Sequence, residues 1–289
     1  MKAISVNLRR VPLLFYIVSV LVCFVFILLS TAYFADNTDG NKSMLMYMLG
    51  GHRSLSALEL WHNALSSSDM NTWLLILTPL ICCVGYVYTF FIEMSTKCYV
   101  FSLNRQGLRR FMLSRFFGCG VYSSVIMLGA LLLSLVTCVI YTGRLGSYPY
   151  APISELLIHS QSSFAAAVEV CLTYAVYAFF VGIVCITLAA VISNAFTSCS
   201  SLVLILFLCG DIQSSYKSRF MRKLFGGEVT LDEYDHFTDL LFVGNLAHGM
   251  PQFQKDFHVP YIVYILALFA FLLILYLIFR FVMKKKVLL

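Results

Sequence analysis

A short polar segment between two apolar stretches holds five basic side chains and no acidic one. It reads KCYVFSLNRQGLRRFMLSRFF and covers residues 97–117. Clustered guanidinium and ammonium groups bind phosphate oxygens, carboxylates and carbonyl oxygens. Anion binding at a lipid or protein surface is therefore the first chemistry to consider. The five residues are a quarter of the 20 Lys and Arg in a chain that is 12% charged: Lys97, Arg105, Arg109, Arg110 and Arg115.

Helical spacing separates the apolar and basic residues of this segment. Four apolar side chains fall on one face at positions i, i+3, i+4 and i+8, namely Leu108, Phe111, Met112 and Phe116. Arg105, Arg109 and Arg110 fall on the other face. The pattern predicts a short amphipathic helix over residues 105–117, with Asn104 as its N-cap. A membrane-surface helix that holds lipid phosphates and a docking helix for a soluble partner both fit this pattern.

No other constellation of residues indicates catalysis or metal binding. The six histidines form no HExxH pair, and the ten cysteines lie mostly in apolar stretches, where packing is their usual role. The acidic residues of 232–239 surround His236 without the spacing of a calcium-binding loop, which favours a solvated loop. No GxxxxGK[ST] phosphate-binding loop is present, so the chain is not expected to hydrolyse ATP.

The composition indicates a membrane protein. Hydrophobic residues make up 60% of the 289 residues, and the mean hydropathy is +0.86. Soluble domains are about 45–50% apolar. The net charge of +6 is best explained by orientation in a bilayer, and no nucleic-acid partner is expected.

Six apolar stretches are predicted to cross the bilayer, because a crossing helix needs about 20 apolar residues. The fold class predicted is an all-α integral membrane protein of one domain, residues 1–289, with about six transmembrane helices and short amphipathic cytoplasmic helices. Strands are not expected, since the alternating pattern of a membrane barrel is absent. The predicted spans are residues 11–34, 72–92, 119–142, 166–192, 199–212 and 260–282, of which the fifth has the least certain limits.

The distribution of charge predicts that both termini are cytoplasmic. Twelve of the 20 basic residues then lie on the cytoplasmic side, as the positive-inside rule requires. Residues 93–118 become a cytoplasmic segment. The outer loops become 35–71, 143–165 and 213–259, the last with room for a re-entrant hairpin. The twelve are Lys2, Arg9, Arg10, Lys97, Arg105, Arg109, Arg110, Arg115, Arg280, Lys284, Lys285 and Lys286.

Two acidic residues fall near the ends of predicted spans. Glu169 lies near the outer end of the fourth span, and Asp211 lies near the end of the fifth. Acidic residues at such depths often mark a path for substrate, although a position at the interface costs much less than one at the bilayer centre. Both are therefore candidates for lining a substrate path.

The layout of the chain resembles the membrane subunit of an ATP-binding-cassette transporter of the second exporter type. The resemblance rests on three strings: Phe91-Ile92-Glu93 at the end of the second span, Leu103 to Phe111 in the polar segment, and Ser114-Arg115-Phe116 at the start of the third span. The basic N-terminus, the long first outer loop and the basic C-terminus also agree with that family.

The resemblance implies that the basic segment is a coupling helix for a separate cytosolic ATPase, which would bind the ATP and Mg²⁺. The chain itself would bind no cofactor and would pair with a second permease copy, identical or similar. The coupling residues would be Glu93, Arg105, Gly107, Leu108, Arg109, Arg110 and Phe111. Phe111 or Leu108 would be the apolar anchor, and Glu93 would pair with Arg9 or Arg10.

The expected function is export of a peptide, a lipid-linked molecule or a drug-like amphiphile across the plasma membrane of a bacterium. Two other classes stay open. An integral membrane enzyme would depend on a few polar residues within the bilayer and not on ATP. A membrane sensor or anchor would use the basic helix to bind membrane lipid or a regulatory protein.

Overall fold

Helices form nearly all of the part of the chain that the computed structural model describes. That part is residues 11–29, 31–32, 42–51, 55–66, 84–146, 163–192, 200–205 and 261–288, with a few isolated positions between them. The helices are α1 (Leu13–Leu29), α2 (Met44–Leu49), α3 (Ala57–Ser66), α4 (84–95), α5 (Tyr99–Gln106), α6 (Leu108–Thr142), α7 (Ser163–Ile192) and α8 (Tyr261–Leu288).

Two of the described helices are long and apolar enough to cross a membrane, namely Leu108–Thr142 and the part of α7 from Val170 to Ile192. Length and composition alone give weak support for a membrane protein. Helix α1 is an apolar helix of 17 residues and ends before the predicted limit at residue 34. The loop 213–259, with its predicted hairpin, is outside the described residues except for four positions before 224, as is half of the fifth predicted span.

Helix α6 is the central element. Its 35 residues span about 52 Å, well beyond the ~30 Å of a bilayer core. It begins eleven residues before the predicted span at 119, so its first turns lie beyond that span. It ends at Gly143, whose φ of 69° and N–H bond of 2.9 Å to the Val139 carbonyl form a left-handed C-terminal cap.

Small residues bring α6 and α7 into close antiparallel contact. The Ser124 hydroxyl donates to the Ala175 carbonyl across the interface at 2.8 Å. A Cβ at Gly182 would lie 2.6 Å from the Ser123 hydroxyl oxygen and 2.9 Å from the Cys119 carbonyl oxygen, so only glycine fits there. Close approach of backbones through small residues is typical of helix packing in membranes.

A cap built from α3 covers the end of α6 near Gly143. The Ser56 N–H donates to the Glu59 carboxylate at 2.7 Å, and the Glu59 N–H donates to the Ser56 hydroxyl at 3.4 Å, which is a capping box. The N–H groups of Ala57 and Leu58 donate to the carbonyls of Arg144 and Leu145 at 3.1 and 3.2 Å. The first turn of α3 is thereby fixed to the chain that leaves α6.

Two very short strands precede this cap. Thr31–Ala32 (β1) and Lys42–Ser43 (β2) pair antiparallel, with Thr31 opposite Ser43. No strand was expected, and two residues on each side leave the chain in the all-α class. The Ser43 hydroxyl then accepts from the Met46 N–H at 3.2 Å and caps α2.

The other end of the bundle, here called the basic end, collects the end of α4, the start of α6 and the ends of α7 and α8. Phe116 of α6 packs against Tyr276 and Phe279 of α8, with ring centroids 5.4 and 5.6 Å apart. Phe117 stacks on Phe179 of α7 at 6.3 Å. The aromatic contacts hold α7 and α8 against the first turns of α6.

Candidate functional site

Residues 93–117 run from the last turn of α4 through α5 to the first turns of α6 and form a bent segment, here called the elbow. Helix α4 ends at residue 95, where the Thr96 N–H and hydroxyl both donate to the Ile92 carbonyl at 2.9 and 2.7 Å. Lys97 then adopts a left-handed conformation with φ 57°. This conformation interrupts the helix, and the eight-residue helix α5 begins two residues later at Tyr99.

Gly107 makes the second bend of the elbow. It has φ 74° and ψ 155°, a combination that is almost confined to glycine. Its N–H donates to the Leu103 carbonyl at 2.8 Å and its carbonyl accepts from the Phe111 N–H at 3.0 Å, so one residue ends α5 and begins α6. The predicted continuous helix over 105–117 is therefore wrong: Asn104 lies inside α5 and caps nothing.

A buried ion pair fastens the two sides of the elbow together. Nη2 of Arg115 in α6 donates to Oε2 of Glu93 in α4. Arg115 is 1% exposed and Glu93 is 8% exposed. The Tyr86 hydroxyl of α4 also donates to the Arg115 carbonyl at 3.3 Å. Separating the pair would leave two buried charges uncompensated, which is strongly unfavourable. The pair therefore holds α4 and α6 in one relative position.

Aromatic contacts extend this attachment to α5. The Arg115 guanidinium carbon lies 5.5 Å from the centre of the Phe111 ring, within cation–π range. The Phe111 ring in turn lies 6.4 Å from the Tyr99 ring at the start of α5. Ser102 and Leu103 complete the inner side of α5, where Ser102 is buried and Leu103 packs on the core. Helix α5 is thus fixed to α6 along its inner face.

The outer face of the elbow combines one large aromatic ring with basic groups. Phe101 is 73% exposed. It lies one helical turn before Arg105, so the two side chains share a face. Arg109 and Arg110 are exposed on the first turn of α6. Aromatic rings and arginines are the residue types that dominate binding energy at protein interfaces.

The structure brings together most of the predicted coupling residues but changes the role of two of them. Phe111, predicted as an anchor for a partner, is 1% exposed and belongs to the core. Leu108 is half-buried and packs against the same core. Met112 and Phe116 are buried with them, which confirms the predicted apolar face. The most exposed apolar residue of the described segment is Phe101, and treating Gly107 as a helix end would have pointed to it.

The structure gives Glu93 a partner that the sequence analysis did not predict. Arg9 and Arg10, the predicted partners, lie outside the described residues, so that pairing stays a prediction. The structure pairs Glu93 with Arg115, for which the sequence analysis predicted only a position at the start of the third span. The sequence pattern does not predict this pair, because the two residues are 22 positions apart and lie on different helices.

The two candidate path residues stay predictions. Glu169 lies in the first half of α7, and its side chain is not among those described. Asp211 lies outside the described residues. Within the described part of the chain no three His, Cys, Asp or Glu side chains gather as they would around a metal ion.

Comparison with known proteins adds no relative: no protein-family model, no curated protein and no solved structure matches the chain.

Proposed function

We propose that the chain is the membrane-spanning permease subunit of an ATP-driven exporter, and that the elbow is the docking site for a separate cytosolic ATPase. One observation carries the proposal. Between two consecutive apolar helices, a short helix is fixed to the bundle on its inner face and presents Phe101 and Arg105 outward, beside Arg109 and Arg110.

The chemistry of this face defines the partner surface. Three exposed guanidinium groups without a neighbouring exposed acid on α5 or the first turn of α6 call for carboxylates or carbonyl oxygens opposite them. The exposed Phe101 ring calls for an apolar pocket between those groups. A groove with an apolar floor and acidic edges on an ATPase subunit would satisfy both.

The inner face supports the transmission of movement. A rigid link from α5 through Tyr99, Phe111 and Arg115 reaches Glu93 on α4. Displacing α5 therefore displaces the ends of α4 and α6 together, because breaking a buried ion pair costs about 3–5 kcal/mol. A nucleotide-driven movement of the partner would in this way tilt two helices at once.

The remaining parts of the proposal follow from the sequence. The subunit has six spans with both termini in the cytoplasm of a bacterial cell, and works with a second permease copy. ATP and Mg²⁺ bind to the partner ATPase. The cargo is an amphiphile such as a peptide, a lipid-linked molecule or a drug, with Glu169 and Asp211 as candidate path residues.

Co-purification tests the proposal. The tagged full-length chain is purified in detergent from its native cells, and the proteins that remain bound are identified and quantified. We expect a P-loop ATPase in near-stoichiometric amount. Reversing two charges with Arg105→Glu and Arg109→Glu, or removing the ring with Phe101→Ala, should lower the retained ATPase at least about tenfold.

A matched control separates docking from general charge. Lys284→Glu with Lys285→Glu makes the same charge change on two exposed residues of α8 at the same end of the bundle. This variant should retain the ATPase. If no ATPase is present with the unaltered chain, or if both double variants lose it equally, the elbow is not a specific docking site. In the first case, retention of anionic lipid by the elbow would favour a membrane sensor.

A further inference from the structure

A cleft of about 240 Å³ opens between α4, α7 and α8 at the basic end. Phe90, Phe91 and Met94 of α4 form one wall. Ala189 and Ala190 near the end of α7 form the floor. The volume has room for several methylene groups. Besides Lys286, the described lining has one polar side chain, that of Ser95 at the end of α4, whose hydroxyl donates to the Ile92 carbonyl at 3.0 Å; the other side chains are aromatic, methionine or alanine. The interior of the cleft therefore suits a hydrocarbon chain.

The third side of the cleft carries a positive charge. Helix α8 contributes Met283 and, one turn later, Lys286, whose ammonium group donates to the Ala190 carbonyl. Partial burial lowers the pKa of Lys286, because a charged ammonium group is less stable away from water. An anionic group beside it would stabilise the charged form.

The surroundings of the mouth are strongly basic. Lys284 and Lys285 are exposed on the same last turn of α8, and Arg280 is exposed one turn before it. Among the described residues that line the cleft there is no acidic side chain. A ligand that matches both features needs a hydrocarbon chain and an anionic head, at the depth where an apolar helix meets its basic flank.

We propose that this cleft is a binding site for one anionic phospholipid of the adjacent leaflet, with part of an acyl chain between α4, α7 and α8 and the headgroup phosphate at Lys286. Basic pockets between helices on the positively flanked side of a membrane protein commonly hold anionic headgroups. The site lies apart from the exposed face of the elbow and does not require an ATPase.

The phospholipid would bind where α4, α7 and α8 meet. It would fill a gap in the packing of three helices, two of which also contact the first turns of α6. Binding of the phospholipid to the folded state should therefore stabilise the fold, and a lipid that binds more tightly should stabilise it more. This gives a readout independent of transport.

Lipid titration of the purified full-length chain tests the site. Native mass spectrometry counts bound phosphatidylglycerol or phosphatidylcholine as each lipid is added to the delipidated protein. We expect one retained phosphatidylglycerol, bound about tenfold more tightly than phosphatidylcholine. Lys286→Gln should remove that preference, Lys286→Arg should keep it, and Ala190→Leu should weaken both lipids by filling the cleft.

Lys284→Gln is the matched control, because it removes the same charge from an exposed residue of the same turn that does not line the cleft. It should change the affinity by no more than about twofold. Equal losses for Lys284→Gln and Lys286→Gln would overturn the proposal in favour of diffuse surface charge. Displacement of the lipid by millimolar inorganic phosphate would show an anion site without a chain site, and would also overturn it.

A second measurement avoids any substitution that might prevent folding. A phosphatidylglycerol with a photoreactive group on its acyl chain is crosslinked to the unaltered protein, and the labelled peptides are mapped. Labelling of the peptides that contain Phe90, Met94 or Met283 supports the cleft. Labelling confined to the lipid-facing residues of α1 or to the rest of α8 contradicts it.

Discussion

The two ends of α6 are held by different chemistry. At the basic end an ion pair between Glu93 and Arg115 is buried, and exposed aromatic and basic side chains remain on the outside. At the opposite end α3 is held by neutral hydrogen bonds, among them one of 2.9 Å from the Trp61 indole to the Ser134 hydroxyl. Most of the apolar side chains of α3 are buried.

The difference separates a helix that is buried against the chain's own core from a segment with an exposed aromatic and basic face. The cap formed by α3 buries Trp61, Leu58 and Leu65 against the chain's own core. The elbow leaves Phe101 uncovered beside three arginines. A soluble partner is therefore expected at the basic end, and α3 is expected to contribute to stability.

The largest expected effect comes from breaking the ion pair. Glu93→Ala leaves the Arg115 guanidinium buried without its carboxylate, and should lower the free energy of unfolding by about 3–5 kcal/mol. Thermal unfolding in one detergent measures the change. The double variant Glu93→Leu with Arg115→Met should recover most of the loss, because apolar replacement of a buried pair is close to neutral. A loss below about 1 kcal/mol for Glu93→Ala would mean that the pair is open to water.

The next effect concerns the bend at Gly107. Gly107→Ala forces alanine into φ 74° and ψ 155°, and should cost about 1–3 kcal/mol. No atom lies within 4 Å of the added Cβ, so the cost comes from the backbone alone. It should also reduce ATPase retention, because α5 would be displaced.

Gly143→Ala is the control for this bend. It also has an empty site for a Cβ and a positive φ, but its ψ of 2° is in the left-handed helical region, which other residues tolerate better. It should cost less and leave ATPase retention unchanged. If the two glycine variants reduced ATPase retention equally, the proposal that only the basic end of α6 binds the ATPase would be contradicted.

Acidification should weaken the opposite end. Burial lowers the pKa of His62 in α3 from 6.5 to about 4. Between these pH values the unfolded chain is protonated at this residue and the folded chain is not, so stability falls as the pH drops from 6.5 to 4. The loss should be about 1–2 kcal/mol, after allowance for the partial exposure of the ring. Melting temperatures across this range should show the slope, and His62→Gln should flatten it.

The smallest effect concerns the hydrogen bond of Trp61. Ser134→Ala leaves the buried indole N–H without its acceptor and should cost about 1 kcal/mol, with no change in ATPase retention. Thr137→Ala is the control, because that hydroxyl donates to the Leu133 carbonyl of its own helix at 2.8 Å. It should stay within about 0.5 kcal/mol of the unaltered chain. Loss of the ATPase from Ser134→Ala would contradict the proposed separation of the two ends.

Local patterns in the sequence determined several features of this protein. Apolar run length indicated helices for 119–142 and 166–192, and the structure has α6 and α7 there. Helical spacing placed Phe111, Met112 and Phe116 on one apolar face and the arginines at 105, 109 and 110 on another, and the arginines are exposed in the structure. These features depend on residues within two or three turns of each other, which is the range over which periodicity carries information.

Other features were decided only by tertiary structure. The pairing of Glu93 with Arg115 depends on how α4 returns beside α6, and the bond between Lys286 and the Ala190 carbonyl joins residues 96 positions apart. The same applies to the burial of Phe111, which was predicted to be an exposed anchor, and to the exposure of Phe101, for which no role was predicted. The physical reason is that a buried charge or a cleft is defined by what surrounds it in space, and those neighbours come from helices that are remote in the chain.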